Sequence, residues 1–388
     1  MPLRFGRPST PQPAQIWSVR MCPYSATPKH GRVRTAGVPP SSPGRLRVNA
    51  SSSILSPVAR SISGWRVHDT PALKQRKDHL ELTAGIARDP DLAWATITDV
   101  QQLSPNVKKL VLKVLSEGGE GGGSSNRWSF QAGQWVDFHI PSVDKVGGYS
   151  IASIPRELPF LDLVVKASKH PPAAWITERA QPGDRVQLRV GGEFVYQPPV
   201  AHATVNASPS SVLLIAGGVG INPVYSILRD ILAAAADGDS CAASSHGAAT
   251  TTVRTALLYS ASHERELLFH SELTELARQF PGRFQLFLTS TANASTSEGD
   301  MSSDGTTAVE AAEASATPNI QVRSGRVTRE MIGEALTWLG AETDSSLVGV
   351  GGVDDVYVCG PPGMAEEMVV ECGSLGVPSE RVHFESWW

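Results

Sequence analysis

Between residues 108 and 115, Leu110, Leu112 and Val114 alternate with Lys109, Val111 and Lys113. That is the two-residue period of a strand with one buried face. Similar short runs predict strands over 93–98, 134–140, 149–154, 161–167, 185–190 and 194–196, with a short helix near 173–180. Strands so closely spaced predict a small antiparallel barrel. From residue 212 the pattern switches. A continuous apolar run at 212–216 and further strand patterns at 255–260, 284–289, 355–359 and 382–384 alternate with helical patterns at 223–235, 267–280, 328–339 and 363–375. Strands without a polar face, alternating with helices, predict a parallel sheet covered on both sides. The expected fold is a β-barrel followed by an α/β domain.

Other stretches lack either period. Residues 117–125 read EGGEGGGSS, a flexible loop, and 198–209 read as a polar, Pro-bearing linker. Residues 236–252 and 291–319 are rich in Ala, Ser, Thr and Gly. The second holds five acids, no base and no aromatic residue, so both are expected to be disordered insertions. The expected organisation is a leader over 1–70, a barrel over 91–200 and an α/β domain over 207–388.

Charge changes the picture at the N-terminus. The chain has 388 residues and a formal net charge of -4, yet residues 1–68 hold nine Arg, one Lys and no acid. The remainder carries 24 basic and 38 acidic residues, a net of -14. An acid-free, Arg- and Ser-bearing start reads as an organelle transit peptide, mitochondrial by preference and plastid otherwise. The plainer alternative is a disordered basic arm. Nine prolines in the first 45 residues oppose one long amphipathic helix there, although a short one over 15–21 remains open. The strongly acidic remainder argues against nucleic acid as a partner. No apolar run approaches the roughly 20 residues of a membrane span. The four cysteines are scattered without a CxxC pair, and no metal site is expected.

Four segments carry candidate chemistry. In LLIAGGVGINP an apolar strand runs into Gly217, Gly218 and Gly220, then Asn222 and Pro223 open a helix. Glycines let a backbone approach a phosphate, and a helix N-terminus favours an anion. In VYVCGPPGM a second strand ends at Cys359, Gly360 and Pro361. In an open parallel sheet, ligands bind at such carboxyl ends, so two Gly-bearing turns can flank one ligand. In GGYSIAS, Tyr149 is suited to stack on a flat heterocycle and Ser150 to bond its edge. The chain ends HFESWW, whose last residue is Trp388; the tryptophans either close over a planar ligand or pack at a domain seam. Taken singly, the Cys359 and Tyr149 segments also read as ordinary packing.

These segments, in this order on a barrel followed by a parallel sheet, resemble the ferredoxin–NADP reductase superfamily. Its "GD.V.L" barrel segment appears at 183–188. The resemblance covers about residues 91–388 and implies a flavin-type barrel followed by an NAD(P)-binding domain. It implies NAD(P)H and FAD as cofactors, and hydride transfer from nicotinamide to flavin with electrons passed to an unknown acceptor. Tyr149 would pack on the flavin and Ser150 would sit near its reactive nitrogen. Gly217, Gly218 and Gly220 would face the pyrophosphate. Asn222 stands where many members have Thr, Cys359, Gly360 and Pro361 would border the nicotinamide, and Trp388 would lie over the flavin. Ser150, Cys359 and Trp388 are thus the candidate catalytic positions.

Two departures stand out. The Arg of the superfamily's Arg-x-Tyr-Ser motif, which pairs with flavin phosphate, falls at Gly147. A second phosphate segment appears as HPPAAWI, with His170 for a Gly and Ala173 for a hydroxyl residue. Lys145, Lys166, Lys169 or His170 could substitute for the lost contacts. The alternative function is therefore a non-catalytic NAD(P)-binding protein that has lost tight flavin binding. NADH against NADPH should be decided around residues 259–265, where Arg265 suits a 2′-phosphate and Glu264 or Glu266 a free hydroxyl, with a lean to NAD.

Overall fold

The computed structural model describes residues 78–115, 128–197, 210–242, 253–292, 318–340 and 353–386. The expected leader, the 198–209 linker, the 117–125 loop, most of both insertions, and Trp387 and Trp388 lie outside them.

The first half forms β1 (Ala93–Ser104), β2 (Val107–Val114), β3 (Trp135–His139), β4 (Gly147–Ser150), β5 (Phe160–Lys166) and β6 (Arg185–Gly191). A short helix α1 (His79–Leu82) precedes them and α2 (Pro171–Glu178) lies between β5 and β6. The sheet order is β4-β3-β6-β1-β2-β5, every pair antiparallel. A bridge from Ile151 to Leu163 joins its two edges and closes the barrel. Closure removes the unpaired edges that an open sheet would expose. Inward positions alternate as the sequence indicates, with Leu110, Leu112, Val136, Phe138, Leu161 and Leu163 in one core. Ala173 and Ile176 of α2 join that core.

The second half is a six-stranded, all-parallel sheet of order β10-β9-β8-β7-β11-β12. Its strands are β7 (Ser210–Gly217), β8 (Val253–Ala261), β9 (Phe284–Ser290), β10 (Ile320–Ser324), β11 (Asp355–Gly360) and β12 (Val382–Ser386). Its helices are α3 (Ile221–Ala242), α4 (His270–Gln279), α5 (Arg329–Gly340) and α6 (Pro362–Ser374). Alternate residues of β7 serve opposite faces. Val212, Leu214 and Ala216 pack with α3, and Leu213 and Ile215 with α5 and α6. All eight β7 residues are buried. Each Leu or Ile taken fully from water contributes about 1.5–3 kcal/mol.

Three local expectations are corrected. Residues 194–196 form no strand: Phe194 turns onto Tyr357 of β11, 5.4 Å between ring centres, and Tyr357 Oη donates to the Val195 carbonyl at 3.1 Å. The chain is leaving the barrel there to meet the second sheet. Helix α3 runs to Ala242, seven residues into the expected 236–252 insertion, and the Ala run at 233–236, a strong helix former, carries it across the expected end. Strand β10, which the sequence pattern leaves unassigned, is five residues long with only Ile320 buried, and its two apolar positions are too short a run to mark a strand.

The two halves share a core. Val164, Ala152 and Phe194 of the barrel join Ile221, Val224, Tyr225 and Leu228 of α3 in one cluster.

Candidate functional site

Strand β7 lies between β8 and β11, so chain progression along the sheet reverses there. Such a switch point opens a crevice at the strand carboxyl ends, where doubly wound sheets bind ligands. The two Gly-bearing turns flank it. Their glycines do different things. A Cβ on Gly217 would lie 2.2 Å from Met364 Sδ, and one on Gly220 would lie 2.4 Å from the Cys359 carbonyl oxygen. Those two glycines let the turn after β7 press against the turn after β11. Gly218 has φ +54° and nothing within 4 Å of a built Cβ. Of the three glycines of this turn it alone combines a left-handed backbone with open space, the geometry that admits a ligand close to the main chain. A single 3-10 turn over Gly218–Gly220 leads directly into α3, whose N-terminus carries the positive dipole end. Pro223 sits in the first turn of α3, where its missing N–H breaks no helical bond.

Tyr259, which the sequence reading passed over as a site builder, holds this crevice. It is fully buried at the carboxyl end of β8. Its hydroxyl accepts from Leu268 N at 3.0 Å and lies 3.3 Å from the Gly218 carbonyl and 3.4 Å from the Glu266 carbonyl. One side chain thus ties the Gly218 turn to the segment after β8. The available signal was a lone tyrosine in the apolar run ALLYSA, since a buried phenol needs a partner for its hydroxyl. Beyond it, Ser262, His263, Glu264 and Arg265 are exposed at the rim.

Two other expected residues are placed in packing roles. Asn222 is buried; its Nδ2 donates to the Val164 carbonyl of β5 at 2.8 Å, so its amide ties the two halves. Beside it Ser226 Oγ donates to the Ser153 carbonyl at 2.6 Å, and Arg229 grips Glu157 at 2.6 and 3.0 Å. The Cys359 side chain is fully buried in the shared core, and burial pushes its thiol well above the usual range. The thiol is therefore neutral, and what this position presents to the turn is backbone: its carbonyl against Gly220. Gly360 and Pro361 continue that turn; a Cβ on Gly360 would lie 3.2 Å from Met364 Sδ, and Pro361 Cδ lies 3.1 Å from the Cβ position of Gly217.

The barrel side is built differently. Tyr149 folds over Gly147, where a Cβ would lie 2.5 Å from its ring, and packs edge-on against Phe138 at 5.6 Å. Its hydroxyl is buried without a hydrogen-bond partner, and burial raises its pKa. Ser150 is buried at the end of β4. On the opposite face of β4, His79 from α1 covers Gly148, where a Cβ would lie 2.1 Å from the imidazole. His79 also stands edge-on to Trp135, 4.9 Å between ring centres. Its Nε2 pairs with Asp137 Oδ1 at 2.9 Å, and Arg88 and Arg189 reach Oδ2 of the same carboxylate at 2.9 and 2.7 Å. Burial alone would raise the pKa of Asp137. The hydrogen bonds from His79, Arg88 and Arg189 outweigh it and hold the carboxyl well below its usual range.

Asp78 caps α1 and pairs with Lys145 at 3.0 Å, with His170 Nε2 3.6 Å from its other oxygen. His170 is the N-cap of α2, and Pro171 and Pro172 follow it. Two prolines remove two N–H donors from the first turn, and the buried Ala173 brings no hydroxyl. With Gly147 in place of the motif Arg, neither segment offers the donors that the superfamily pattern would place there, and Lys145 and His170 already face Asp78.

Residues 214–319 match the oxidoreductase NAD-binding domain family. Among solved structures, the ferredoxin-NADP+ reductase of Plasmodium falciparum with 2′P-AMP superposes with a TM-score of 0.52 at 16% identity, covering 76% of this chain and 96% of that one. The ferredoxin NADP+ reductase of Neisseria gonorrhoeae with bound FAD and NADP gives 0.50 at 17% identity, covering 77% and 100%. These likenesses concern the fold: a two-domain, ferredoxin reductase-like oxidoreductase architecture. In sequence, the oxidoreductase NAD-binding domain-containing protein 1 of Bos taurus is 36% identical over 321 residues, 81% of this chain and 87% of its own. With that extent of identity spanning barrel and parallel sheet alike, the chain belongs to the oxidoreductase NAD-binding domain-containing protein 1 family.

Proposed function

We propose that this chain binds a nicotinamide dinucleotide, NAD(H) or NADP(H), in the crevice between β7 and β11. The pyrophosphate lies against the Gly218 turn at the start of α3, and the nicotinamide lies toward Gly360 and Pro361. One observation carries the reading: at the switch point of the parallel sheet, Gly218 alone of its turn has a left-handed backbone facing open space. The match of residues 214–319 to an NAD-binding family supports it. The chain's own residues supply positioning here, the α3 dipole for the phosphates and the Tyr259 hydroxyl for the shape of the turn.

The test is titration of the full chain with NADH and NADPH, followed by nucleotide fluorescence. Wild type is expected to bind one of them, and Gly218→Ala to weaken that binding by at least about tenfold while the circular dichroism is kept. Absence of binding by either nucleotide at millimolar concentration would sink the reading.

A second reading is the reductase itself, in which hydride passes from NAD(P)H to a flavin and electrons pass onward to an acceptor. The Tyr149-Ser150 pair at the end of β4 favours it, whereas the missing phosphate donors favour a dinucleotide-binding protein without resident flavin. We further propose import into mitochondria, supported by the acid-free, Arg-rich first 68 residues. Expression of the full chain with a C-terminal fluorescent tag checks this, and a cytosolic signal would refute it.

A further inference from the structure

We propose that residues 78–88 are a built-in strap beside the segments that would hold a flavin phosphate, with the Asp78 carboxylate taking the partners that the phosphate would need. The chain then carries no resident flavin while the strap is closed. This goes beyond the nicotinamide reading and stands independently of it.

Three observations carry the inference. First, the strap is seated on the strand that carries the motif, on the face opposite Tyr149 and the Gly147 position. His79 lies directly on Gly148, the residue after the missing Arg position, and no side chain fits between them. Second, the strap is anchored in the barrel and not laid on its surface. His79 and Arg88 both close on Asp137 of β3, whose side chain is fully buried, and Arg88 also bonds the Thr83 and Ile86 carbonyls. Arg88 further bridges to Gly191 of β6. Third, the charges match. Lys145, two residues before the Gly147 position, and His170, at the head of α2, lie at the two phosphate-contact segments, and each faces Asp78. An anion from the strap thus takes up the groups that an incoming phosphate would need, which is the same ion-pairing chemistry supplied from within the chain.

The experiment uses the full chain with FMN, FAD and riboflavin as probes, read by quenching of flavin fluorescence. Wild type is expected to emerge from gel filtration after FAD or FMN incubation without flavin. Asp78→Ala combined with His79→Ala should gain at least about tenfold in FMN affinity. The same variant should gain nothing toward riboflavin, which lacks the phosphate. Adding Lys145→Ala should abolish the FMN gain. Asp78→Asn alone, which keeps the shape of the strap and removes its charge, should show part of the gain even where the double variant folds poorly. Wild type that carries FAD or FMN in stoichiometric amount overturns the proposal. So does a folded double variant, or a folded Asp78→Asn, whose FMN affinity matches wild type, and so does an equal gain for riboflavin. NADH titration of the same samples keeps the outcomes apart: loss of NADH binding in wild type defeats the nicotinamide reading and leaves the strap untouched.

Discussion

The crevice at the ends of β7 and β11 and the face of β4 are both marked by adjacent glycines, and the structure uses them in opposite ways. At the crevice, Gly217 and Gly220 draw two turns together so that Gly218 is left facing open space. On β4, Gly147 makes room for Tyr149 and Gly148 for His79, so the chain fills both faces itself. A glycine pair in sequence reports that something comes close to the backbone. Whether that something is a ligand or the protein's own side chain is settled by the neighbours.

Breaking the β4 side should have the largest effect. Asp137→Ala leaves His79, Arg88 and Arg189 around an emptied buried position. Removing one partner of a buried ionic cluster costs about 3–5 kcal/mol. Urea unfolding should show that loss, and a change under 1 kcal/mol would mean the strap is not anchored through Asp137.

On the crevice side, Gly220→Ala drives a methyl into the Cys359 carbonyl, and overpacking of this kind costs about 1–3 kcal/mol. It should lower both stability and nucleotide affinity. Gly218→Ala meets no atom and carries only the left-handed backbone penalty of about 1–2 kcal/mol, so its loss should be mainly in nucleotide affinity. Equal profiles for the two variants would erase the distinction between packing glycine and ligand-facing glycine.

Tyr259→Phe removes a hydroxyl that Leu268 N donates to, at about 1 kcal/mol of stability by thermal melting. Nucleotide affinity should fall several-fold with it. Unchanged affinity would show that the Gly218 turn keeps its shape unaided.

The pH dependence separates the regions again. The native pKa of Asp137 is lowered, so its contribution is fully present above the ordinary carboxylate range near pH 4 and is lost as pH falls below it. Asp78 is shifted in the same direction: burial would raise it, and Lys145 and its own cap bond to His79 lower it further. Acid should therefore loosen the strap. Trp135, which His79 touches, should report this as a fluorescence change below about pH 4 that Asp137→Asn diminishes. The smallest expected effect is at the rim, where Arg265→Ala should lower NADPH affinity by a few-fold and leave NADH unchanged. A shift in neither nucleotide would remove Arg265 from the discrimination between them.

The barrel and the parallel sheet were legible because burial writes itself into period. Leu110, Leu112 and Val114 alternate because one face of β2 meets the core, and residues 212–216 are uniformly apolar because both faces of β7 are covered. The two turns were legible because glycine after an apolar strand has few other uses. The division of labour among Gly217, Gly218 and Gly220 was not legible. It depends on Met364 and the Cys359 carbonyl, which lie about 140 residues away along the chain. Asn222 looked like a ligand contact and is a tie to Val164, for the same reason. Strand β10 is not legible because its alternation of Ile320 and Val322 with Gln321 and Arg323 is too short to stand out beside the long polar stretch before it.

By itself the sequence determined the fold class, the order of the two halves and the place of the two turns, because each follows from local period and local backbone freedom. Tertiary structure alone decided which glycines face a ligand and which face the protein. It also placed the Cys359 thiol inside the core and the Tyr259 hydroxyl between two loops. And it brought residues 78–88, which carry no motif, onto the face of β4. Such contacts join positions far apart in the chain, and no local pattern of residues encodes which of them will meet.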